Sequence, residues 1–371
     1  MSNDAISTDT VARRPYFDYA LAAIVICIVI FGMVMVYSTS SYKAELLYGD
    51  SAYFLKRQMV FALVALIFMY IISRIDYMVF ARFAKAFLLI SMVLLVLVYI
   101  IGKASHGSSR WIYIGSFGFQ PSELTKVALI IYMADAATRH TKSLNSFKGL
   151  MKLMLLPIIA VVLIAIENLS TAIICFVIVG VIAFVASPRY SHFIILMIIG
   201  IAGAVIFILT AGYRAERIRV WLHPEDYDTG YQTIQSLYAI GSGGLFGRGL
   251  GNSIQKLGFI PESHNDMIFS VICEELGLVG ALCVIVMFVA LIYRITVIGM
   301  NTPERFGGLI TVGVMAHVAS QVIINIGVVT NTIPPTGVTL PFISYGGSSI
   351  VFILLEMGLV LSVARQIKTG R

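Results

Sequence analysis

Charged side chains make up only 12% of the 371 residues, about half the share found in a soluble domain. A water-soluble globule is thereby excluded. Cysteine is scarce: Cys27, Cys175, Cys273 and Cys283 all fall in apolar runs, with no CxxC pair among them. They read as small buried hydrophobes, so neither a disulfide framework nor a zinc site is indicated. Acidic residues are outnumbered, 19 Asp and Glu against 26 Lys and Arg, for a formal net charge of +7. In a soluble protein that excess would raise nucleic-acid binding. Here it fits basic loops beside anionic lipid headgroups, and no nucleic-acid partner is expected. There is no internal repeat, low-complexity tract or separate soluble domain.

What the sequence holds in excess is apolar residues, 59% of the chain, with a mean hydropathy of +0.92. Runs approaching the ~20 residues of a bilayer-spanning helix recur at 19–37, 54–73, 83–101, 121–137, 150–166, 171–186, 193–210, 267–293, 306–329 and 348–363. They predict an all-α membrane protein of ten transmembrane helices, forming one polytopic domain over 1–371. The first run follows Arg13 and Arg14 and ends in Tyr37-Ser38-Thr39-Ser40. It is too long for a signal peptide's apolar region and ends without a small-residue cleavage site, so it reads as a retained anchor. Pro157 interrupts the fifth run, which neighbouring helices can tolerate.

An even number of spans puts both termini on one side. With the termini cytoplasmic, the inner segments hold Arg13, Arg14, Arg74, Arg82, Lys85, Arg139, Lys142, Lys148, Lys152, Arg189, Arg294, Arg305, Arg365, Lys368 and Arg371. The short outer loops hold only Lys43, Lys56, Arg57, Lys103 and Arg110. That positive-inside bias sets the orientation. Residues 212–264 then form a long extracytoplasmic loop between helices 7 and 8, the one segment long enough to build a site. Its apolar anchors argue against disorder, and 231–240 suits a short amphipathic helix along the membrane surface.

Ionisable groups at membrane depth are functional candidates by default: Glu123, Lys126, Asp135, Glu167, Asp266, Glu274, Glu275 and Glu356. Asp135 can reach the headgroups. Glu123 and Lys126, three apart on one helix, suit either a local ion pair or a functional pair. Asp266 stands where the long loop meets a helix. It is either a helix cap or a carboxylate whose pKa, raised by partial desolvation, makes it a general base. Arg214, Arg217, Arg219, Arg248 and Lys256 share the outer loop. They suit headgroup attraction or a phosphate clamp that Arg110 would join. Gly241–Gly249 is no nucleotide loop, because Phe246 takes the sixth place of GxGxxG and no strand–helix unit surrounds it. His223 and His264 match no metal-site spacing and read as solvated loop histidines.

Several segments, taken in order, carry a resemblance. Arg110-Trp111-Ile112, Gln120-Pro121-Ser122-Glu123-Leu124-Thr125-Lys126, Gly230-Tyr231-Gln232, Gly249-Leu250-Gly251-Asn252-Ser253, Pro261-Glu262-Ser263-His264-Asn265-Asp266 and Ser344-Tyr345-Gly346-Gly347-Ser348 together resemble the SEDS family of shape, elongation, division and sporulation proteins. The likeness runs nearly the whole length, and residues 251–256 look closer to division members than to elongation members. It implies ten transmembrane helices in the bacterial cytoplasmic membrane and peptidoglycan glycosyltransferase activity on lipid II, a disaccharide-pentapeptide carried on undecaprenyl pyrophosphate.

The resemblance further implies that Asp266 matches the family's outer-loop aspartate, and that Glu123 and Lys126 match its polar residues at the start of the fourth helix. The expected site is Asp266 as general base, with Arg110, Glu123, Lys126, Arg214, Arg248 and Lys256 around the substrate. No cofactor is certain; a divalent cation, Mg or Mn, is a candidate to offset leaving-group charge. A class B penicillin-binding protein with transpeptidase activity and other membrane proteins of the division or elongation machinery are the implied partners. One departure stands out: Glu167-Asn168-Leu169-Ser170-Thr171 replaces the family's Gln-Pro-Asp-Leu-Gly-Thr, so no catalytic role is assigned there. The alternatives are a lipid II flippase, for which the intramembrane polar residues would line a path, and a non-catalytic scaffold.

Overall fold

A computed structural model describes residues 17–101, 103–105, 108–114, 117–194, 198, 200 and 219–367. The apolar runs become helices at nearly the expected places: α1 (Tyr19–Tyr48), α2 (Tyr53–Arg74), α3 (Met78–Ile101), α4 (Pro121–Arg139), α5 (Phe147–Glu167) and α6 (Leu169–Ala186). After the long loop and its surface helix α7 (Tyr231–Gly243) come α8 (Ile268–Asn301), α9 (Arg305–Val329) and α10 (Gly347–Arg365). Eight of these are long and apolar enough to cross a membrane. The nineteen-residue α4 is too rich in charge for that class, since it carries Glu123, Lys126, Asp135 and Arg139. Most of the expected span 193–210 lies outside the described residues, as does Arg214.

Local chemistry sets the ends. Asp18 caps α1 by accepting from Leu21 N at 2.9 Å, and Gly49 closes the same helix in the left-handed conformation, φ 65°, as such a stop requires. Pro121 opens α4, where its missing N–H costs nothing. Asn168 turns α5 directly into α6, its Oδ1 taking Thr171 N at 3.1 Å. α5 runs on through Pro157. α1 outlasts its apolar run by eleven residues, because Ser38 and Thr39 find partners in α8 and in the loop before it.

Close packing comes from small residues, as in membrane bundles generally. A Cβ on Gly358 of α10 would meet Met69 O of α2 at 2.8 Å, and one on Gly32 of α1 would meet Phe342 O at 2.6 Å. α4, α6, α9 and α10 form the inner core, with Leu129, Ile130, Ile178, Val314 and Met357 inaccessible. α2 and α3 turn Val60, Leu63, Ile90 and Val93 outward.

The connection from α3 to α4 is more ordered than a loop. β1 (Lys103–Ser105), β2 (Ser108–Ile114) and β3 (Phe117–Phe119) pair antiparallel in the order β1-β2-β3, with Ile112 opposite Phe119 and Tyr113 opposite Gly118. Gly118 O accepts from Ser348 Oγ at 2.7 Å, tying this small sheet to the start of α10.

Candidate active site

Two strips of chain lie side by side at this same end of the bundle: 263–266, leading into α8, and 338–346, leading into α10. Three consecutive carbonyls of the first strip are held. His264 O accepts from Tyr345 N at 2.9 Å, Asn265 O from Ser344 Oγ at 2.6 Å, and Asp266 O from Asn325 Nδ2 at 2.7 Å. Gln58 of α2 grips the second strip through Ser344 O (3.3 Å) and Gly346 N (3.2 Å). α1 secures the other side, where Thr39 O accepts from Ser263 Oγ at 3.2 Å and Lys43 pairs with Glu262 at 2.8 Å. Glu262 also accepts from Asn265 Nδ2.

Asp266 is therefore fixed by its backbone carbonyl, while its carboxylate meets the backbone N–H groups of Asp266 and Met267. The N-cap position of α8 falls on Met267 and receives no side-chain bond, so Asp266 does not cap the helix. Its Oδ1 is shielded and has no hydrogen-bond partner. Desolvation dominates and outweighs the opposing backbone hydrogen bonds of Asp266 and Met267; with a smaller push from the Glu262 charge, the carboxyl rises from 3.8 to about 7. A carboxylate in that range suits proton abstraction near neutral pH. His264, expected to be solvated, is 2% exposed. Its ring packs 4.6 Å from Phe54 and 5.6 Å from Tyr345, and burial lowers its pKa to about 4, leaving it neutral. His223 is exposed, as expected.

The described cations, Lys126, Lys256 and Arg248, sit in three different settings. Lys126, 2% exposed, pairs with Glu123 at 2.8 Å, and its ammonium lies 3.5 Å from Gln321 Oε1. This is the local ion pair, enclosed in the bundle and already neutralised. Lys256 does not face a substrate either. Its ammonium is enclosed by Glu275 (2.8 Å), Ser38 Oγ (3.2 Å) and Gly251 O (2.7 Å). Its expected place in a phosphate clamp is corrected on that ground, since a buried, fully paired ammonium has nothing left to offer. Arg248 stays partly exposed, with Nε 3.8 Å from Glu274. Arg110 falls on β2, and its side chain, like Arg214, lies outside the described residues.

Glu274 and Glu275 explain the glycine-rich stretch. α8 is broken at Gly277 (φ 66°, ψ −165°), a conformation reserved for glycine. The break frees backbone groups that the loop takes up. Arg248 N and Gly249 N donate to Glu274 O and Glu275 O, and Leu278 N and Val279 N donate to Gly244 O and Leu245 O, all within 3.1 Å. Gly247 and Gly277 touch backbone to backbone, leaving no room for a Cβ on either. Side chains complete the seam. Glu274 accepts from Ser253 Oγ and from Ile254 N (3.0 Å), while Glu275 accepts from Ser38 Oγ at 2.6 Å. Deeper in the core, Glu356 pairs with His317 Nδ1 at 2.7 Å. α7 forms as expected, but it packs its Thr233, Ser236 and Ala239 face inward, Ser236 Oγ reaching Val329 O at 3.0 Å.

Sequence reasoning missed Gln321, Asn325 and Ser38, polar residues inside apolar helices. The spacing of Gln321 and Asn325, one turn apart in α9, was the one available signal. Among the described residues the only side-chain group suited to a metal is His223, Glu225 and Asp226, and it is exposed.

Comparison with known proteins places this geometry. The family model FTSW_RODA_SPOVE, cell cycle protein, matches residues 19–369. The stage V sporulation protein E of Bacillus subtilis (strain 168) is 40% identical over 354 residues, covering 94% of this chain and 97% of its own length. A protein named probable peptidoglycan glycosyltransferase FtsW, from Geobacter sulfurreducens (strain DL-1 / KN400), is 37% identical over 358 residues, covering 95% and 96%. A chain solved in work on polymerization and crosslinking by a peptidoglycan synthase complex superposes with a TM-score of 0.79 at 26% identity, covering 95% of this chain and 99% of that one. The Thermus thermophilus rod shape determining protein RodA superposes with a TM-score of 0.70 at 25% identity, covering 95% and 98%.

Proposed function

The chain belongs to the FtsW/RodA/SpoVE family of cell cycle proteins, and from that premise we propose that Asp266 is the general base with which it polymerises lipid II. It is a multi-pass membrane protein and a peptidoglycan glycosyltransferase, as its curated relatives are named. The oxygen of an acceptor sugar's 4-hydroxyl attacks the anomeric carbon of the donor, and its proton passes to the Asp266 carboxylate. The bond to undecaprenyl pyrophosphate breaks as the new glycosidic bond forms, and single displacement inverts the anomeric centre. The observation that carries this reading is a carboxylate with an anchored backbone, an unpartnered oxygen and a pKa raised to about 7.

A divalent cation, Mg or Mn, enters this reading only as a counter-ion of the substrate's own pyrophosphate. The donors around Asp266 do not fit a resident metal, because the neighbouring carboxylate, Glu262, is already paired with Lys43. Arg110 and Arg214 are proposed to face the pyrophosphate together with Arg248, the described cation of the set that keeps part of its guanidinium open. The long loop and Asp266 are proposed to face outward, with both termini cytoplasmic. The likeness to a chain of a peptidoglycan synthase complex supports a crosslinking partner, a class B penicillin-binding protein.

Replacing Asp266 with Asn removes the base and keeps the shape. Polymerisation of purified lipid II is expected to fall about 10²–10⁴-fold while the variant elutes as a folded monodisperse species in detergent. Near-normal polymerisation by Asp266→Asn refutes the assignment. Movement of labelled lipid II across vesicles without glycan product would favour the flippase instead.

A further inference from the structure

Three carbonyls in a row are held at 264, 265 and 266, and the holders differ in kind. Tyr345 N and Ser344 Oγ belong to the neighbouring loop. Asn325 belongs to α9, 1% exposed, and its amide nitrogen divides between two loops: Asp266 O at 2.7 Å and Val338 O at 2.8 Å. Both N–H groups of that amide are thereby used, which fixes its orientation. One turn earlier on the same face, Gln321 repeats the pattern. Its Nε2 donates to Thr339 O at 3.0 Å, and its Oε1 receives the Lys126 ammonium, itself paired with Glu123. A continuous bonded path thus runs from the Glu123–Lys126 pair through Gln321, the 338–339 backbone and Asn325 to the residue that carries the base.

We propose that Asn325, supported by Gln321, is a positioning residue that sets where the Asp266 carboxylate points. The proposal rests on Asp266 being the base. The direction of a side chain follows from its peptide planes, and the plane after Asp266 is fixed by the Asn325 bond at one edge and by the start of α8 two residues later. Removing the bond lets that plane turn while the fold is kept by the other anchors. A misplacement of about 1 Å at a reacting group costs on the order of 10²-fold in rate. Asn325 touches no reacting atom, so its effect reaches the reaction only through Asp266.

The test uses the full chain in detergent or vesicles with lipid II. Asn325→Leu, with the same branching and heavy-atom count but no hydrogen-bonding atoms, is expected to lower kcat about 10–10²-fold and to leave KM for lipid II within about twofold, because the sugar and pyrophosphate contacts are untouched. Gln321→Leu, one link further away, is expected to cost less than Asn325→Leu. Ser320→Ala, which loses only a bond to His317 O on the same helix, is expected to behave as wild type. If Asn325→Leu does not fold, Asn325→Ser carries the same comparison. Wild-type kcat in the folded variant, or a rise in KM with kcat unchanged, overturns the proposal. An active Asp266→Asn overturns the assignment of the base itself. An inactive Asp266→Asn beside a fully active Asn325→Leu overturns only this inference.

Discussion

At the scale of single residues, the Asp266 carboxyl and the buried ion pairs decide what can be measured. Burial raises that carboxyl from 3.8 to about 7, so polymerisation is expected to rise with pH and reach half its plateau near pH 7. A pH–rate profile of the purified chain checks this, and a midpoint near 4 would deny the shift. The same shift has a stability sign. The folded chain binds this proton more tightly than the unfolded chain does, so its contribution is complete below about pH 4 and is lost as pH rises through about 7. Asp266→Asn carries no such group. Its unfolding temperature is therefore expected to gain on wild type between pH 5 and pH 8, the reverse of its effect on rate. Lys256→Met leaves Glu275 charged and unpaired in the interior, and is expected to destabilise by about 3–5 kcal/mol. Lys256→Met combined with Glu275→Gln should recover much of that loss in the same thermal melt. The desolvation of the Asp266 carboxyl was legible in the sequence because its motif sits at a loop–helix junction. Lys126 was legible as half of a possible local ion pair, whereas Lys256 was legible as a charge but not in its setting. Glu123 was visible as the partner of the first, but nothing in the spacing puts Glu275 and Ser38 beside the second.

At the scale of elements, apolar runs foretold the helices well because burial in lipid leaves the backbone no alternative partner. They failed where polar contacts extend an element, as at the end of α1, and where a short paired structure replaces a loop, as in β1–β3. The glycine stretch at 241–249 was legible as a tight loop or a close backbone approach to a ligand; the approach is instead to the break at Gly277, which lay inside a continuous apolar run and left no trace. Gly277→Ala puts a side chain into a glycine-only conformation at a cost of about 1–3 kcal/mol, with a clash against Gly247 in addition. Expression level and melting temperature in detergent should both fall. Gly180→Ala, where a Cβ meets nothing within 4 Å, should change neither.

At the scale of the whole molecule, the distribution of Lys and Arg makes a definite expectation for the direction of insertion, and labelling at the two ends of the bundle tests it. Asp18 and Arg294 pair at 2.8 Å between the start of α1 and the latter part of α8, whereas Asp266, the small sheet and the seam of α8 gather at the opposite end. Phe246, 80% exposed, and Met300, 81% exposed, mark the two ends. In a chain freed of its native cysteines, Phe246→Cys should react with a membrane-impermeant maleimide on intact cells. Met300→Cys should react only after permeabilisation. The reverse pattern would invert the topology.

The seam between residues 244–249 and the interrupted α8 has a consequence for how this chain can vary in length. Ordinary surface loops accept extra residues freely. Here the backbone groups on both sides of the interruption are matched one for one by the glycine stretch, so a single added or removed residue would shift every pairing at once. The stretch is in effect an inset of the helix, its length dictated from within the membrane domain although the chain reaches it from outside.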